Sequence, residues 1–415
     1  MKFEDYSIAI DIKRNLERLG FRKPTDIQFK SIPPIMRGED VLAIAQTGTG
    51  KTAAFAIPVI NTLNERRRTR SAEEIRCLVM VPTHELALQI TEVFDAIANR
   101  TRVKTLCIFG GVDQEPQIAA LQKGADILIT TPGRMFDLVS QGHLKLNQVE
   151  ILILDEADHM LDLGFIGDIQ DMIKFLPKKR QTLFFSATIN EKIKKLAYSL
   201  VHNPIRIQIS PKDPVAKNIQ HAVSFIEMDE KRFFLERIIK EHPISKILIF
   251  VRTKVRAERV AKAMERASIK TLTMHSDKEH TERLMVLDEF KKGKTKILIA
   301  TDINARGIDI PHVDYVINYD LPEVAENYVH RVGRTGRGEQ KGQAISFCSS
   351  EEKPILKEIE GFLQKPIHVL EIDKNDYQAT IEYGNESIAP NTDWKSLIDQ
   401  AEKEDEIIKK KKRKK

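Results

Sequence analysis

The stretch Ala45-Gln46-Thr47-Gly48-Thr49-Gly50-Lys51-Thr52 constrains this chain more than any other. It follows the apolar run Val41–Ala45, which reads as a short buried strand, and precedes Ala53–Ile60, which reads as the opening of a buried helix. A strand that turns through glycines into a helix leaves backbone N–H groups converging on one spot, and the helix N-terminus adds partial positive charge there. Gln46, Thr47, Gly48, Thr49 and Gly50 then line a phosphate cradle, Lys51 reaches the β- and γ-phosphates, and the Thr52 hydroxyl binds Mg2+. The first position of the usual G-x4-G-K-[ST] pattern is Ala45, so the bend must come from Gly48 and Gly50. A glycine-rich connection with no ligand is the alternative, and the order strand, Gly-x-Gly-Lys-Thr, helix argues against it. The stretch implies a nucleoside triphosphate site.

At 415 residues the chain exceeds what one core organises, and two domains of ordinary size fit better. No apolar run approaches the ~20 residues of a membrane span. The opening MKFEDYSIAI carries acids where a signal peptide is basic, so a cytoplasmic protein is expected. Cys77, Cys107 and Cys348 lie in separate strand-like segments without metal spacing, the pattern of buried free thiols. The net charge of +6 is deceptive: less the 7 positive charges of Lys409–Lys415, the body stands at −1. Affinity of the body for nucleic acid must therefore come from local patches.

Pro24 is expected to stop a first helix, Thr25 to cap a second, and Pro33 and Pro34 to punctuate before the glycine loop. From Val41 onward, short β-rich runs alternate with helical segments: Cys77–Val81, Thr105–Phe109, Asp126–Thr130, Glu150–Leu154 and Thr182–Phe185 each read as a doubly buried strand. That alternation predicts a parallel sheet flanked by helices, with sites at the carboxyl ends of its strands. The polar and glycine-containing residues cluster at those ends. After a last strand, Ile205–Ile209, residues 210–218 read as a linker. A second α/β series follows, with strands expected at Ala222–Ile226, Ile247–Val251, Thr271–Met274, Ile297–Ala300, Tyr315–Asn318 and Ala344–Phe347, and no second Gly-Lys-Thr loop. The expected organisation is an α/β chain of two tandem mostly parallel sheets, 1–209 and 219–372, then a polar tail over 373–415. Asn375–Thr392 reads as turn-rich, and Trp394, Leu397, Ile398 and Ala401 fall at helical spacing before KKKKRKK.

Asp155-Glu156-Ala157-Asp158 follows four apolar residues, Ile151–Leu154, so two carboxylates emerge at a buried strand tip. In phosphoryl transfer from such a glycine loop, an acid there holds Mg2+ and a neighbour orients and deprotonates the attacking water. Asp155 is assigned to the metal and Glu156 to the water; a solvated acidic turn is the alternative.

Asp155–Asp158 spells DEAD, and the chain resembles the DEAD-box ATP-dependent RNA helicases from Phe3 to about Val369. GFRKPTDIQ (20–28), PTHELALQ (82–89), TPGR (131–134), SAT (186–188), ATDINARGID (300–309) and HRVGRTGR (330–337) occur in the family's order. FGGV (109–112), the short linker and the modest basic tail are most similar to the bacterial RhlE-type group. The resemblance implies two tandem RecA-like domains and ATP hydrolysis stimulated by RNA, coupled to local unwinding or remodelling of short duplexes. An ATP-gated RNA clamp without processive unwinding is the alternative. A P-loop GTPase or kinase is disfavoured, since it explains neither the second half nor its arginines.

The resemblance further implies that Gln28 reads the adenine edge with Phe21 against the ring, and that Asp309 holds the ribose. Arg334 and Arg337 would reach the γ-phosphate. Asp158, Ser186, Thr188 and His330 would couple the acidic strand end to the RNA-bound state. Thr83, Gly110, Gly111, Thr131 and Arg134 in the first half, with Arg252, Arg283 and Thr301 in the second, would touch RNA. Small hydroxyls, glycine amides and scattered arginines suit phosphates and 2′-hydroxyls without base reading. A monomer working with ribosomal or RNA-decay proteins is the expected setting. Four positions depart from the family pattern: His84 for Arg, His280 for Gln, Ser276 for Gly and Asn304 for Ala. KKKKRKK reads as a nonspecific RNA tether, with a solubilising end, or a nuclear import signal in a cell with a nucleus, as the alternatives.

Overall fold

The computed structural model describes residues 2–46, 48–65, 74–209, 215, 218–302, 313–336 and 341–386, without the side chains of 280 and 383–386. Thr47, Asn304, Asp309, Arg337, most of the linker, the Trp394 stripe and the basic run lie outside the described residues. The chain divides into two compact units, one over residues 2–209 and one from 215 onward.

The first unit is built on seven parallel strands: β1 (Val41–Ala45), β2 (Cys77–Met80), β3 (Thr105–Ile108), β4 (Ile127–Thr130), β5 (Ile151–Leu154), β6 (Gln181–Ser186) and β7 (Ile205–Ile209). Their order across the sheet is β3-β4-β2-β5-β6-β1-β7. β1, β2 and β5 are apolar at every position because both faces are covered. Val41, Ala43 and Ala45 face one helical layer with Ile153 and Phe185, whereas Leu42 and Ile44 face the other with Leu152 and Phe184. The edge strand β3 departs from the expected double burial, with Thr105, Leu106 and Cys107 only half-buried. The helix Lys51–Glu65, which leaves β1, is enclosed along most of its length, and Phe55 packs edge-on against Phe185 with ring centroids 5.1 Å apart.

Pro33 and Pro34 do not end a helix; the helix Asp26–Met36 runs through both. Each proline withholds one N–H from the ladder, and the C-terminal turn is secured from outside. The Gln181 amide donates to the carbonyls of Ile35 at 3.0 Å and Glu39 at 2.7 Å, tying that helix end to the start of β6.

The second unit repeats the plan. Its strands are β8 (Ile219–Phe225), β9 (Ile247–Phe250), β10 (Leu272–Met274), β11 (Ile297–Ala300), β12 (Tyr315–Asn318), β13 (Gly342–Cys348) and β14 (His368–Val369), ordered β10-β11-β9-β12-β13-β8-β14 and all parallel. β8 begins three residues before the expected Ala222, because Ile219, Gln220 and His221 pair in register with Gly342, Gln343 and Ala344. β14, two residues long, had no signal of its own.

One expectation is corrected. Residues 374–386 are not turn-rich tail but a helix, Lys374–Glu386, docked on the second unit. Tyr377 lies against Phe234 with ring centroids 4.8 Å apart, and its hydroxyl accepts the Glu227 N–H at 3.1 Å. The Arg237 guanidinium donates to buried Thr380 Oγ1 at 2.8 Å. Tertiary contacts at two positions decide this helix, and the polar composition around them conceals it.

Lys231 is fully buried in the second unit, donating to Glu352 and, at 2.8 Å, to the Tyr319 carbonyl. Removing one partner of such a pair strands a charge in an apolar setting, at about 3–5 kcal/mol. Glu352→Ala should lower the unfolding free energy of the second unit, read from its urea transition, by an amount in that range, while the exposed pair Lys174–Asp171 tolerates Asp171→Ala within about 0.5 kcal/mol.

Candidate active site and nucleic-acid interface

At the carboxyl end of β1 the chain turns as the glycine spacing requires. Gly48 and Gly50 take φ of +79° and +92°, in the left-handed region open to glycine. Gly50 has a second constraint, since a Cβ there would lie 2.5 Å from Gln28 Nε2. The Thr49 hydroxyl donates to the Gln46 carbonyl at 2.8 Å and closes the loop. Lys51 then opens the helix, where first-turn N–H groups have no intrahelical acceptor. Its Nζ is buried and has no hydrogen-bond partner among the described residues.

Gln28 works within the protein at both ends of its amide. Oε1 accepts the Thr25 N–H at 2.9 Å as part of a helix capping box, and Nε2 donates to the Gly50 carbonyl at 3.1 Å. The residue expected to face adenine is thus also a strut beneath the glycine loop. Phe21 is half-buried and packs edge-on against Phe3, centroids 6.1 Å apart.

β5 lies two strands from β1, with β6 between them, so their carboxyl ends are roughly 10 Å apart. Asp155 emerges there almost wholly buried, its Oδ1 accepting the Glu156 N–H at 3.0 Å. Burial pushes its carboxyl up to about 6, and the Lys51 ammonium pulls the other way. Glu156 has φ +51°, a left-handed conformation that costs a side-chain-bearing residue roughly 1–2 kcal/mol. One buried partner was not foreseen from the sequence: His159, three residues on along the helix Ala157–Asp162, places Nδ1 3.5 Å from Glu156 Oε2.

Asp158 fastens the end of β5 to the segment leaving β6. Its Oδ2 accepts from the N–H groups of Ala187 at 3.1 Å and Thr188 at 2.9 Å, and from Thr188 Oγ1 at 3.1 Å. Ser186 does not itself reach Asp158; its hydroxyl donates to the Thr188 carbonyl at 2.8 Å.

Five further candidates gather along the carboxyl ends of β2, β3 and β4. Thr83 caps the helix His84–Ala98, its hydroxyl accepting from Leu86 N–H at 3.3 Å, and Thr131 precedes the helix Pro132–Ser140. Gly110 and Gly111 run over His84, whose ring stacks on Phe109 with centroids 5.2 Å apart. Buried Arg134 donates from Nη2 to the Val112 carbonyl at 2.7 Å, while its Nε and Nη1 find no partner among the described residues.

In the second unit Thr301 is buried at the end of β11, and Arg283 is half-buried. Arg252 donates to Glu352 Oε1 at 3.0 Å, and its N–H to Asp320 Oδ2 at 2.9 Å. Half-buried His330 and buried Arg334 sit on one chain turn, Arg334 Nε donating to the His330 carbonyl at 3.2 Å. Between them Arg331, also unforeseen, is fully buried and grips Asp302 with both Nε and Nη2, at 2.5 and 2.7 Å.

Residues 25–196 match the DEAD/DEAH box helicase family model, and 230–339 match the helicase conserved C-terminal domain. The ATP-dependent RNA helicase CshA of Listeria monocytogenes is 38% identical over 372 residues, covering 89% of this chain and 70% of that relative. The chain belongs to the DEAD-box ATP-dependent RNA helicases. The RhlB helicase of Shewanella frigidimarina is 39% identical, over 90% of this chain and 87% of its own. Among solved structures, Saccharomyces cerevisiae Dbp5 bound to RNA and ADP BeF3 is similar at a TM-score of 0.81 and 29% identity, covering 94% of this helicase and all of that chain. Mss116p bound to single-stranded RNA and AMP-PNP gives a TM-score of 0.82 at 26% identity, covering 92% and 81%. The tandem parallel sheets are therefore the RecA-like pair of this family, and the helicase is an RNA-dependent ATPase by membership.

The raised carboxyl of Asp155 fixes a sign. Between about pH 4 and 6 the folded helicase holds a proton there that the unfolded chain has lost, so stability from this group falls as pH rises through that window. In nucleotide-free, EDTA-treated protein, Asp155→Asn should raise Tm at pH 8, by the equivalent of roughly 2–3 kcal/mol, with the gain shrinking toward pH 5. Equal melting shifts at both pH values would contradict the burial account.

Proposed function

We propose that this helicase hydrolyses ATP at the carboxyl ends of β1 and β5, and that the observation carrying the reading is buried, unpartnered Lys51 beside buried Asp155. A desolvated ammonium without an acceptor is costly in a folded protein unless an anion meets it. The backbone of Gln46 to Gly50 cradles the phosphates, with Thr47 among them, and Lys51 takes the β- and γ-oxygens. Thr52 and Asp155 hold Mg2+: a hydroxyl and a carboxylate are hard oxygen donors, and the ion needs few protein ligands when phosphates share it. Bound there, Mg2+ neutralises charge on the phosphoryl oxygens.

Glu156, turned by its left-handed backbone and steadied by His159, orients the attacking water and takes its proton. Gln28 and Phe21 hold the adenine, and Asp309 the ribose. Arg334 and Arg337 bring positive charge to the γ-phosphate once RNA is bound. Asp158, Thr188, Ser186 and His330 transmit that condition. RNA contacts its backbone partners at Thr83, Gly110, Gly111, Thr131, Arg134, Arg252, Arg283 and Thr301, and the work done is local opening of short duplexes.

The same reading places the protein in the cytoplasm as a monomer, with ribosomal or RNA-decay partners. No described helix is long and apolar enough to cross a membrane, and the relatives named by identity above are bacterial RNA helicases. The RhlE-type assignment rests on Phe109–Val112, the linker and the tail alone.

ATPase rates with and without RNA test this for the parent, Glu156→Gln and Arg334→Ala. Both variants should lose RNA-stimulated turnover, by roughly 10²–10⁴ for the base and 10³–10⁵ for the arginine. Glu156→Gln should still bind ATP and RNA together. Stimulated turnover persisting in either variant would remove that residue from the mechanism.

A further inference from the structure

A cavity of about 220 Å3 opens at the carboxyl ends of β9 and β12, lined by Arg252, Thr253, Val255, Arg256, Arg259 and Asp320. Three guanidinium groups line so small a space, although the body as a whole is close to neutral. Two of them are held by carboxylates. Arg252 reaches Glu352 at 3.0 Å and Glu323 at 3.7 Å, and Arg256 Nε lies 3.3 Å from Asp320 Oδ2. Arg256 Nη2 also rests on Met228 Sδ at 3.2 Å. Arg259, one helical turn beyond Arg256 on the helix Lys254–Arg266, is exposed and has no partner among the described residues.

Buried Lys231 backs the same wall, on Glu352 and 3.9 Å from Asp320. Four cations thus stand against three carboxylates, and Arg259 supplies the excess. Fixing Arg252 and Arg256 removes most of the rotamer entropy that a free arginine loses on meeting an anion. Arg259 remains available to close on it.

The volume decides the size of that anion. A phosphate with a few waters fits 220 Å3, whereas nucleotide-sized ligands occupy roughly 300 Å3 or more. No aromatic ring lines the cavity, so a base has nothing to stack on. β11, which Thr301 directly follows, is the neighbour of β9, so the cavity continues the rim assigned to RNA.

We propose that this cavity seats one backbone phosphate of the bound RNA strand, between Arg256 and Arg259. The proposal rests on the RNA reading of Arg252 and Thr301 and adds two residues of this chain to it. Its consequence is a salt-sensitive, sequence-independent share of RNA affinity in the second unit.

The test uses the full chain, a fluorescein-labelled oligouridylate and ADP–beryllium fluoride, with Kd measured across a KCl series. Arg259→Ala and the double variant Arg256→Ala/Arg259→Ala should weaken binding by roughly three- to tenfold and flatten the log–log salt slope by about 0.7, the share of one phosphate on a single strand. Arg259→Lys should keep the parental slope. Because Arg259 is exposed and unpaired, its single variant answers even if the double variant melts early. A parental slope in Arg259→Ala, with RNA still bound, overturns the cavity but leaves the RNA reading intact; a parent that binds no RNA overturns both. Calorimetry with inorganic pyrophosphate separates a free anion from the RNA backbone. Pyrophosphate binding lost in the variants with the RNA slope unchanged would assign the cavity to a small anion and overturn the proposal.

Discussion

Lys51 and Asp155 are both desolvated, carry opposite charge, and stand at strand ends separated by the width of one strand. The strands that lead to them are core on both faces: Leu42 and Ile44 of β1 and Leu152 and Leu154 of β5 against one layer, Ala43 and Ala45 with Ile151 and Ile153 against the other. The sheet order makes this possible. Placing β6 between β1 and β5 leaves a gap that side chains alone do not span with a direct ion pair. The charges feel each other, as the opposing pull of Lys51 on the Asp155 carboxyl shows, yet the ammonium has no acceptor. On the proposed reading, a polyphosphate and its metal would supply both missing partners at once. Phosphate affinity, on that reading, is built from an electrostatic deficit that the hydrophobic core holds in place.

The second unit handles its charges in the opposite way. It has the same strand order without a glycine loop, and its buried cations Lys231 and Arg331 sit on carboxylates, as does exposed Arg252. Lys231 lies on Glu352, Arg331 on Asp302, and Arg252 on Glu352. Arg331 also donates to the Asp320 carbonyl at 2.7 Å and lies over the Phe250 ring. Such pairs gain little net stability over well-packed apolar residues, but they hold chain segments in register. The Arg331–Asp302 grip joins the segment after β11 to the turn that carries His330 and Arg334. Fixed geometry of that kind is what an arginine needs if it is to act on a ligand rather than sample solvent.

What could be read from residues alone followed from the range of the forces involved. The glycine loop was legible because φ near +80° at Gly48 and Gly50 is a local requirement. The strands were legible because a doubly covered parallel sheet demands unbroken apolar runs. Pro33 and Pro34 misled because their cost falls on a helix end that Gln181, far along the chain, secures. The helix Lys374–Glu386 was hidden for the same reason: Tyr377 and Thr380 find their partners on the helix Lys231–Glu241. His159 was within reach, since an i,i+3 pair on a helix is a local signal, but it fell in the shadow of the acids beside it. Gln28 was assigned one task where the structure gives it another as well.

If the rim carrying Thr83, Gly110, Gly111 and Thr131 meets RNA as proposed, its construction favours backbone contacts over base contacts. Thr83 spends its hydroxyl as a helix cap, and Thr131 is nearly buried at the next helix start. Side chains so placed cannot extend toward a base edge, whereas helix starts and glycine amides can meet phosphate oxygens directly. His84 fits the same logic. Stacked on Phe109 beneath Gly110 and Gly111, its flat ring packs under that loop. A substituent at Gly111 would sit 3.5 Å from the imidazole at a positive φ, so the loop is held to glycine by backbone conformation while His84 sets its floor. At position 84, where this chain departs from the family pattern, the histidine packs as part of the loop's floor. On the proposed reading, the shape of that loop would set how closely an RNA backbone approaches it.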